Sequence, residues 1–263
     1  MKKTITVEKK EPLLVLADTI VYSQRPYWCD GTANILSLSF MAPRLYFPYD
    51  GPKKPRPVLV FICGGGFARM DRGGWMGELA WFAKKGYAVV SVEYSTDGGS
   101  PFPQQITEVK EAVRFLRTHA EELYIDPEKI ALMGESAGAY LASFTALTNG
   151  KKEYEVGGNP GVDSSVRAAV VWYTPCNLGG WKDYPDLSTM VSKDAPPFLL
   201  LHGSADELVK PEQSEMLYAS LEKADISADL YFIEGANHAD THFVQSEVKE
   251  IILAFLNKSL DVQ

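Results

Sequence analysis

A series of short apolar runs between residues 58 and 233 constrains the fold more than any other feature of the sequence. Each run is nearly continuous rather than alternating, which is typical of β-strands that helices cover on both faces. The runs occupy residues 58–62, 88–92, 130–133, 168–172, 198–201 and 230–233. We therefore predict a sheet that is mainly parallel.

The stretches between these runs have the periodicity of amphipathic helices. One helical face is formed by Ile106, Val109, Val113, Leu116, Ala120 and Leu123. Another helix ends at Lys84 and Lys85, where Gly86 is placed to cap it. Alternating strands and helices predict an α/β fold, a doubly wound sheet with helices on both faces. In such a fold the ligand binds beyond the carboxyl ends of the strands.

The N-terminal part of the chain has a different pattern. Residues 4–7, 13–22 and 35–41 are rich in β-branched and aliphatic side chains, which predicts antiparallel strands at the edge of the sheet. The chain has 263 residues, of which 46% are hydrophobic, and can bury one large core. We expect a single domain over residues 1–263, in which residues 150–197 contribute a small cap or acyl pocket.

The chain is acidic, with a formal net charge of −8. This charge repels phosphate backbones and anionic headgroups, so we expect neither a nucleic-acid nor a membrane partner. Charged residues interrupt the N-terminus where a signal sequence would be apolar, which favours a cytoplasmic location. The three cysteines, Cys29, Cys63 and Cys176, are expected to be reduced thiols that are mostly buried. For the assembly we consider a homodimer.

The segment Gly134-Glu-Ser-Ala-Gly138 directly follows the third apolar run and precedes a stretch that suits a helix. A strand, a sharp turn and a helix in this order form a nucleophile elbow, in which the glycines avoid the contacts that a Cβ would make. The motif by itself also occurs by chance in structural turns. Its context favours Ser136 as a catalytic nucleophile.

A serine nucleophile needs a general base, and the base needs a carboxylate that orients it. His238 follows the last apolar run and is expected at the carboxyl edge of the sheet. Asp206 follows the fifth run, with Glu207 as its rival for the carboxylate role. The order Ser136, Asp206, His238 is one of the known orders of a serine-hydrolase triad.

The other histidines point to less specific roles. His119 lies in a predicted helix and fits a boundary or surface position, while His202 ends a strand and is expected to hold the following loop. His242 lies four residues after His238, so a metal pair is an alternative. The residues between them lack the glutamate of a zinc-protease helix, and no third ligand is evident. We predict no metal and no other cofactor.

The segment Cys63-Gly-Gly-Gly66-Phe67 follows the first apolar run. Acyl transfer needs N–H donors that a substrate oxygen can approach closely, and glycines permit that approach. A second donor is expected from the N–H of Ala137, directly after the nucleophile. A plain flexible turn is the alternative interpretation of the three glycines.

Several segments together resemble one branch of a known fold family. They are ICGGGF, SVEYS, FPQQITEVKEAVRFLR, IDPEKIALMGESAGAYLA, LLHGSADELVKPEQSE and GANH, between residues 62 and 238. They resemble the hormone-sensitive-lipase-like α/β-hydrolases, and within these the bifunctional feruloyl and acetylxylan esterases. The resemblance implies a triad and three oxyanion donors: Ser136 as nucleophile, Asp206 as acid, His238 as base, and Gly65, Gly66 and Ala137 as donors.

Two positions depart from the pattern of this branch. Its glycine motif normally begins with histidine, and Cys63 holds that place here. Because a thiol is a weak donor and acceptor, we expect a less rigid loop and less efficient catalysis. Glu93 replaces a residue that is usually neutral.

The resemblance implies a serine carboxylesterase for small acyl esters of acetyl or feruloyl type, including those on plant-derived carbohydrate. The expected partner is a small-molecule or oligosaccharide ester. The expected substrate-binding residues are Phe67, Glu135, Trp172 and Tyr173, although aromatic residues in such a stretch also serve to close a cap over the core. Two alternatives are an aryl formamidase or amidase with the same triad and a non-catalytic ligand-binding homologue, which predicts a broken triad.

Overall fold

The computed structural model describes residues 1–8, 10–27, 32–45, 54–96 and 102–262. Its strands are β1 (Leu14–Tyr27), β2 (Thr32–Pro43), β3 (Arg56–Ile62), β4 (Ala88–Val92), β5 (Ile125–Glu135), β6 (Ala168–Trp172), β7 (Phe198–Gly203) and β8 (Ala228–Ile233). Its helices are α1 (Met76–Lys84), α2 (Gln104–Thr118), α3 (Ala120–Leu123), α4 (Ala137–Leu147), α5 (Glu212–Lys223) and α6 (Ser246–Ser259). Short 3-10 helices lie at Lys152–Tyr154, Trp181–Asp183, Leu187–Thr189 and Thr241–Val244.

The strands form one sheet in the order β1-β2-β4-β3-β5-β6-β7-β8. β2 pairs antiparallel with both β1 and β4, whereas the strands from β4 to β8 along the sheet pair in parallel. Parallel neighbours require crossover connections, which the helices provide. The predicted α/β fold, a mainly parallel doubly wound sheet with antiparallel N-terminal strands, is confirmed.

The central strands are buried on both faces, which explains their continuous apolar runs. In β3, Val58, Val60 and Ile62 join a core cluster that contains residues of α2, α4 and α5. Leu59 and Phe61 face the other way and join a cluster that contains residues of α1 and α6. Alternate side chains of one strand thus enter different cores, so apolar residues are favoured on both faces.

Two strand predictions are wrong in detail. Residues 4–7 form no strand, and Ile5 and Val7 are 81% and 75% exposed. The segment buries too little apolar surface to offset the entropy of ordering it. β8 lies at the edge of the sheet, and its residues are exposed or partly buried, with Tyr231 and Phe232 both exposed.

The helix predicted around residues 106–123 is present but divided. α2 ends at Thr118 and α3 begins at Ala120, with His119 between them in a non-helical conformation. The predicted apolar face is buried except for Leu123, which is partly buried. After α1, Gly86 has a φ of 103°, which suits the predicted glycine cap.

Four loops at the carboxyl edge of the parallel strands bring the predicted site residues to one place. Cys63 follows β3, Ser136 follows β5, Asp206 follows β7 and His238 follows β8. Within the stretch predicted as a cap, β6 belongs to the sheet itself. The single domain and the cap stay predictions. Cys63 and Cys176 are buried free thiols, as expected, whereas Cys29 lies outside the described residues.

Candidate active site

Ser136 lies in a strained turn between β5 and α4. Its backbone has φ 54° and ψ −123°, a conformation that residues with a side chain rarely adopt. A Cβ on Gly134 would lie 2.4 Å from the carbonyl oxygen of Gly138, and a Cβ on Gly138 would lie 2.0 Å from that of Ile62. The two glycines therefore permit the turn, which leaves Ser136 partly exposed at the N-terminus of α4.

His238 lies beside Ser136 in the loop after β8. Its Nε2 is 3.0 Å from the Oγ of Ser136, and its Nδ1 is 2.7 Å from Oδ2 of Asp206. The ring of Tyr173 packs against the imidazole, with ring centroids 4.5 Å apart. Only 13% of the imidazole is exposed. The structure thus brings the three predicted triad residues into one hydrogen-bonded chain.

Asp206 is held by the backbone of its own loop. Its Oδ1 accepts hydrogen bonds from the N–H groups of Leu208 and Val209, each 2.9 Å long. Its side chain is fully buried. The neighbouring Glu207 is exposed, and its hydrogen bond within the described residues is made by the backbone N–H, which donates to Oδ1 of Asn237. This geometry favours Asp206 over Glu207 as the partner of His238.

His202 supports this loop from below, as its position in the sequence suggests. It is completely buried, with Nδ1 2.6 Å from the Oγ of Ser214 and Nε2 2.8 Å from the carbonyl oxygen of Val209. Burial lowers the pKa of His202 below its ordinary value. A neutral imidazole satisfies both contacts, since one nitrogen donates to the carbonyl and the other accepts from the hydroxyl.

The two remaining histidines lie away from this hydrogen-bonded chain. His119 is paired with Glu122 near the protein surface. His242 binds Asp240, 2.7 Å away, rather than facing His238 as a metal pair. Within the described ranges, no group of three or more His, Cys, Asp or Glu side chains is arranged to hold a metal ion. None of the described helices combines the length and apolarity needed to cross a bilayer.

The glycine loop after β3 reaches the same cavity as Ser136. Gly65 and Gly66 have φ values of 126° and 64°, and the carbonyl oxygen of Gly65 accepts from the N–H groups of Ala68 and Arg69. A Cβ on Gly65 would lie 2.0 Å from the carbonyl oxygen of Arg69, so the loop requires glycine there. In the described part of the chain, the N–H groups of Gly65, Gly66 and Ala137 have no intramolecular acceptor among the recorded hydrogen bonds.

Glu135 braces this loop, a contact that the sequence did not predict. Its Oε1 accepts from the backbone N–H of Gly64 at 2.5 Å and lies 3.6 Å from the Sγ of Cys63. The hydroxyl of Tyr94 donates to the carbonyl oxygen of Cys63 at 2.7 Å. A Cβ on Gly64 would lie 2.7 Å from the carboxylate oxygens, which leaves no room for another residue. The loop is therefore fixed through Glu135 and Tyr94 despite the missing histidine.

Cys63 itself is a protonated, buried side chain. Only 7% of the residue is exposed, and burial raises the pKa of its thiol to about 12. A thiol held so far from ionisation is a poor nucleophile. Cys63 therefore fills the space beside Glu135 and does not compete with Ser136 chemically.

A second brace involves Glu93, whose role is not evident from the sequence. Its Oε2 accepts from the guanidinium of Arg72 and from the backbone N–H of Ser37, at 3.0 and 2.9 Å. Arg72 also contacts Asp18 and the hydroxyl of Ser39. These contacts tie the chain that follows the glycine loop to β1 and β2.

Ser136 and His238 open into a cavity of about 600 Å³. Its lining residues are Cys63, Gly64, Gly65, Gly66, Arg69, Met70, Asp71, Trp75, Glu135, Ser136, Leu208, His238 and Ala239. Of the four predicted substrate-binding residues, only Glu135 is in this lining. Trp172 is buried between Trp75 and Phe243.

Phe67 belongs to a separate aromatic group. It packs on Tyr140, Trp181 and Tyr184, with ring centroids 5.0 to 5.8 Å apart. The hydroxyl of Tyr140 also binds the carbonyl oxygen of Pro185. These contacts fasten the segment between β6 and β7 over α4. Substrate binding by Phe67, Glu135, Trp172 and Tyr173 stays a prediction.

Comparison with known proteins identifies the family of this chain. The model of the BD-FAE family matches residues 44–189, which is more than half of the chain and includes both the glycine loop and the Ser136 turn. The chain belongs to the BD-FAE family. The match ends before Asp206 and His238, so the assignment of these two residues to the site depends on the hydrogen bonds described above.

Curated relatives of this BD-FAE member include two proteins of Mycobacterium tuberculosis. Esterase LipC is 28% identical over 72% of this chain and 54% of its own length. A protein named probable carboxylic ester hydrolase LipM is 31% identical over 60% of this chain and 43% of its own. The chain thus spans about half the length of these relatives.

Solved structures agree with the fold of this BD-FAE member. A truncated carbohydrate esterase from gut microbiota matches with a TM-score of 0.78 and 21% identity, covering 94% of this chain and 96% of that one. Esterase Est2 of Thermogutta terrifontis matches with a TM-score of 0.75 and 22% identity over 92% of each chain. The predicted resemblance to esterases of the α/β-hydrolase fold is confirmed.

Proposed function

We propose that this chain is a serine carboxylesterase that hydrolyses small acyl esters through Ser136, His238 and Asp206. The observation that carries the proposal is that His238 reaches both partners at once, 3.0 Å from the Ser136 hydroxyl and 2.7 Å from the Asp206 carboxylate. Family membership and relatives named as esterases support it.

In this mechanism the Asp206 carboxylate accepts a hydrogen bond from the Nδ1–H of His238, which holds the imidazole in the tautomer whose Nε2 is free to act as the base. Nε2 takes the proton of Ser136 while the Oγ attacks the ester carbonyl, and the same proton passes to the departing alcohol. Water, activated by His238, then cleaves the acyl-enzyme and releases the carboxylic acid. Overall, one ester and one water give one acid and one alcohol.

The oxyanion that forms during both steps needs donors that are already in place. We assign this role to the N–H groups of Gly65, Gly66 and Ala137, because no recorded hydrogen bond of the described residues uses them. Gly65 and Gly66 line the cavity at Ser136, and Ala137 directly follows Ser136 in the chain. Ala137 is the first residue of α4, so the positive end of the helix dipole adds to the stabilisation.

We propose acetyl or feruloyl esters, including those on plant-derived carbohydrate, as the substrate class. The resemblance to feruloyl and acetylxylan esterases and the likeness to a protein described as a carbohydrate esterase support this choice. Comparing kcat/KM on an acetylated xylo-oligosaccharide with that on p-nitrophenyl acetate tests it. The proposal of a carbohydrate substrate fails if the oligosaccharide is not the better of the two.

The catalytic assignment is tested by replacing Ser136 with alanine. Loss of the nucleophile should lower kcat by a factor of about 10⁶, to the residual rate of the remaining site. Ser259→Ala, at the end of α6, is the matched control and should keep wild-type activity. More than a tenth of wild-type activity in Ser136→Ala contradicts the assignment.

The homodimer, the cytoplasmic location and the absence of nucleic-acid and membrane partners stay predictions from the sequence. Sedimentation analysis of the purified protein tests the first of these directly.

A further inference from the structure

Among the described residues, Arg69 is the arginine that lines the cavity at Ser136, and its position is set by the glycine loop. The Cγ of Arg69 lies 3.2 Å from the place that a Cβ on Gly65 would occupy. The side chain therefore begins directly against one of the proposed oxyanion donors. Arg69 and Ser136 line the same cavity. A group bound to the guanidinium is thus close to an ester bound at Ser136.

The charged groups of this cavity are not equivalent. Glu135 already accepts a hydrogen bond from the N–H of Gly64, and Asp71 accepts one from the N–H of Gly73, 2.8 Å away. The guanidinium of Arg69 is exposed and has no hydrogen bond or ion pair among the recorded contacts of the described residues. Each carboxylate thus has a backbone donor within the protein, whereas the guanidinium is available to a ligand.

The position of His238 indicates which part of the substrate enters this cavity. The imidazole must protonate the departing alcohol, so the alcohol lies on its side of Ser136. Leu208 and Ala239, which flank His238 and Asp206 in their loops, line the same cavity as Arg69. The aromatic group around Phe67 does not line it. The alcohol part of the ester is therefore the part that meets Arg69.

We propose that Arg69 selects esters whose alcohol or phenol part carries a carboxylate, as in hydroxy acids and uronic acids. A guanidinium binds a carboxylate through two parallel hydrogen bonds, which a neutral amide or hydroxyl cannot reproduce. Asp71 and Glu135 lie in the same lining and oppose this preference, so the selectivity is moderate. The inference rests on the proposed esterase function.

The test compares kcat/KM for 4-acetoxybenzoate with that for its neutral amide, 4-acetoxybenzamide, which has the same acyl group and nearly the same shape. The ratio of acid to amide should fall about tenfold in Arg69→Gln and fall further in Arg69→Glu. Asp71→Asn should raise the ratio. Arg167→Gln is the matched control, because Arg167 lies at the amino end of β6 and pairs with Asp261.

A measurement on the unmodified protein keeps the test independent of folding defects. Raising the ionic strength from about 0.01 M to about 1 M shortens the Debye length from ~30 Å to ~3 Å, so the wild-type ratio should fall. An unchanged ratio in Arg69→Gln, or a wild-type ratio that does not respond to salt, overturns the inference. If the wild-type protein hydrolyses neither ester, the esterase proposal itself has failed.

Discussion

Removing the carboxylate of Glu135 should lower turnover without changing substrate affinity. Glu135→Ala leaves the N–H of Gly64 and the thiol of Cys63 without their acceptor, in a site where Glu135 is only 6% exposed. The glycine loop then loses one of its two side-chain braces and keeps the other, which comes from Tyr94. Glu135→Gln retains an oxygen at the same distance from the backbone and keeps the bond.

The size of the effect follows from the bond that is lost. A hydrogen bond to a charged group contributes about 1.5–3 kcal/mol, and each ~1.4 kcal/mol of barrier height changes the rate tenfold. If that energy holds the oxyanion donors in position, kcat should fall about 10- to 100-fold. Complete loss of one donor costs about 10² to 10³, which sets the upper limit.

Steady-state hydrolysis of p-nitrophenyl acetate by both variants measures this effect, with thermal unfolding as the check on folding. We expect a reduced kcat and a nearly constant KM in Glu135→Ala, and recovery of most of the rate in Glu135→Gln. The reasoning is refuted if Glu135→Ala keeps more than half of the wild-type kcat, or if KM alone changes.

Three other predictions concern Asp206, the thiols and acid stability. Asp206→Asn should lower kcat by about 10⁴ with little change in fold, because its amide donates to Nδ1 of His238 and favours the wrong tautomer; a loss below tenfold argues against this role. Iodoacetamide at about pH 8 should leave Cys63 and Cys176 unmodified in the native protein, since burial raises both thiol pKa values to about 12; peptide mapping that finds either one alkylated contradicts this. Burial lowers the pKa of His202 below its ordinary value of 6.5. Below that pH the unfolded chain therefore binds a proton at this residue that the folded protein does not bind, which lowers the free energy of unfolding. Above that pH both states are neutral and this loss is absent. The free energy of unfolding should therefore fall less between about pH 7.5 and about pH 5 in His202→Gln than in wild type, and equal slopes would be evidence against the burial effect.

Much of the fold could be predicted because one-dimensional patterns control it. Continuous apolar runs identify strands buried on both faces, and the six runs coincide with β3 to β8. The errors occur where burial depends on position in the sheet. β8 has an apolar run like that of β7, yet it lies at the edge of the sheet. Its residues do not indicate that a strand pairs with it on one side only.

The chemistry of the site could be predicted in part for a similar reason. Ser136, Asp206 and His238 each follow a strand, and parallel strands end at one edge of the sheet. The braces could not be predicted, because they join residues far apart in sequence. Glu135 reaches Gly64 across 71 positions, and Arg72 reaches Glu93 across 21. For the same reason the sequence predicted a less rigid loop at Cys63, whereas Glu135 and Tyr94 brace it in the structure.

The most direct test of the central claim is labelling with a fluorophosphonate, followed by peptide mass mapping. The Oγ of an activated serine attacks the phosphorus of such a reagent and displaces fluoride, so the reagent should modify Ser136 in the wild-type protein. The label should disappear in His238→Ala, although the serine is still present, because the base that activates it is gone. A label on another residue, or undiminished labelling of Ser136 in His238→Ala, would contradict the account.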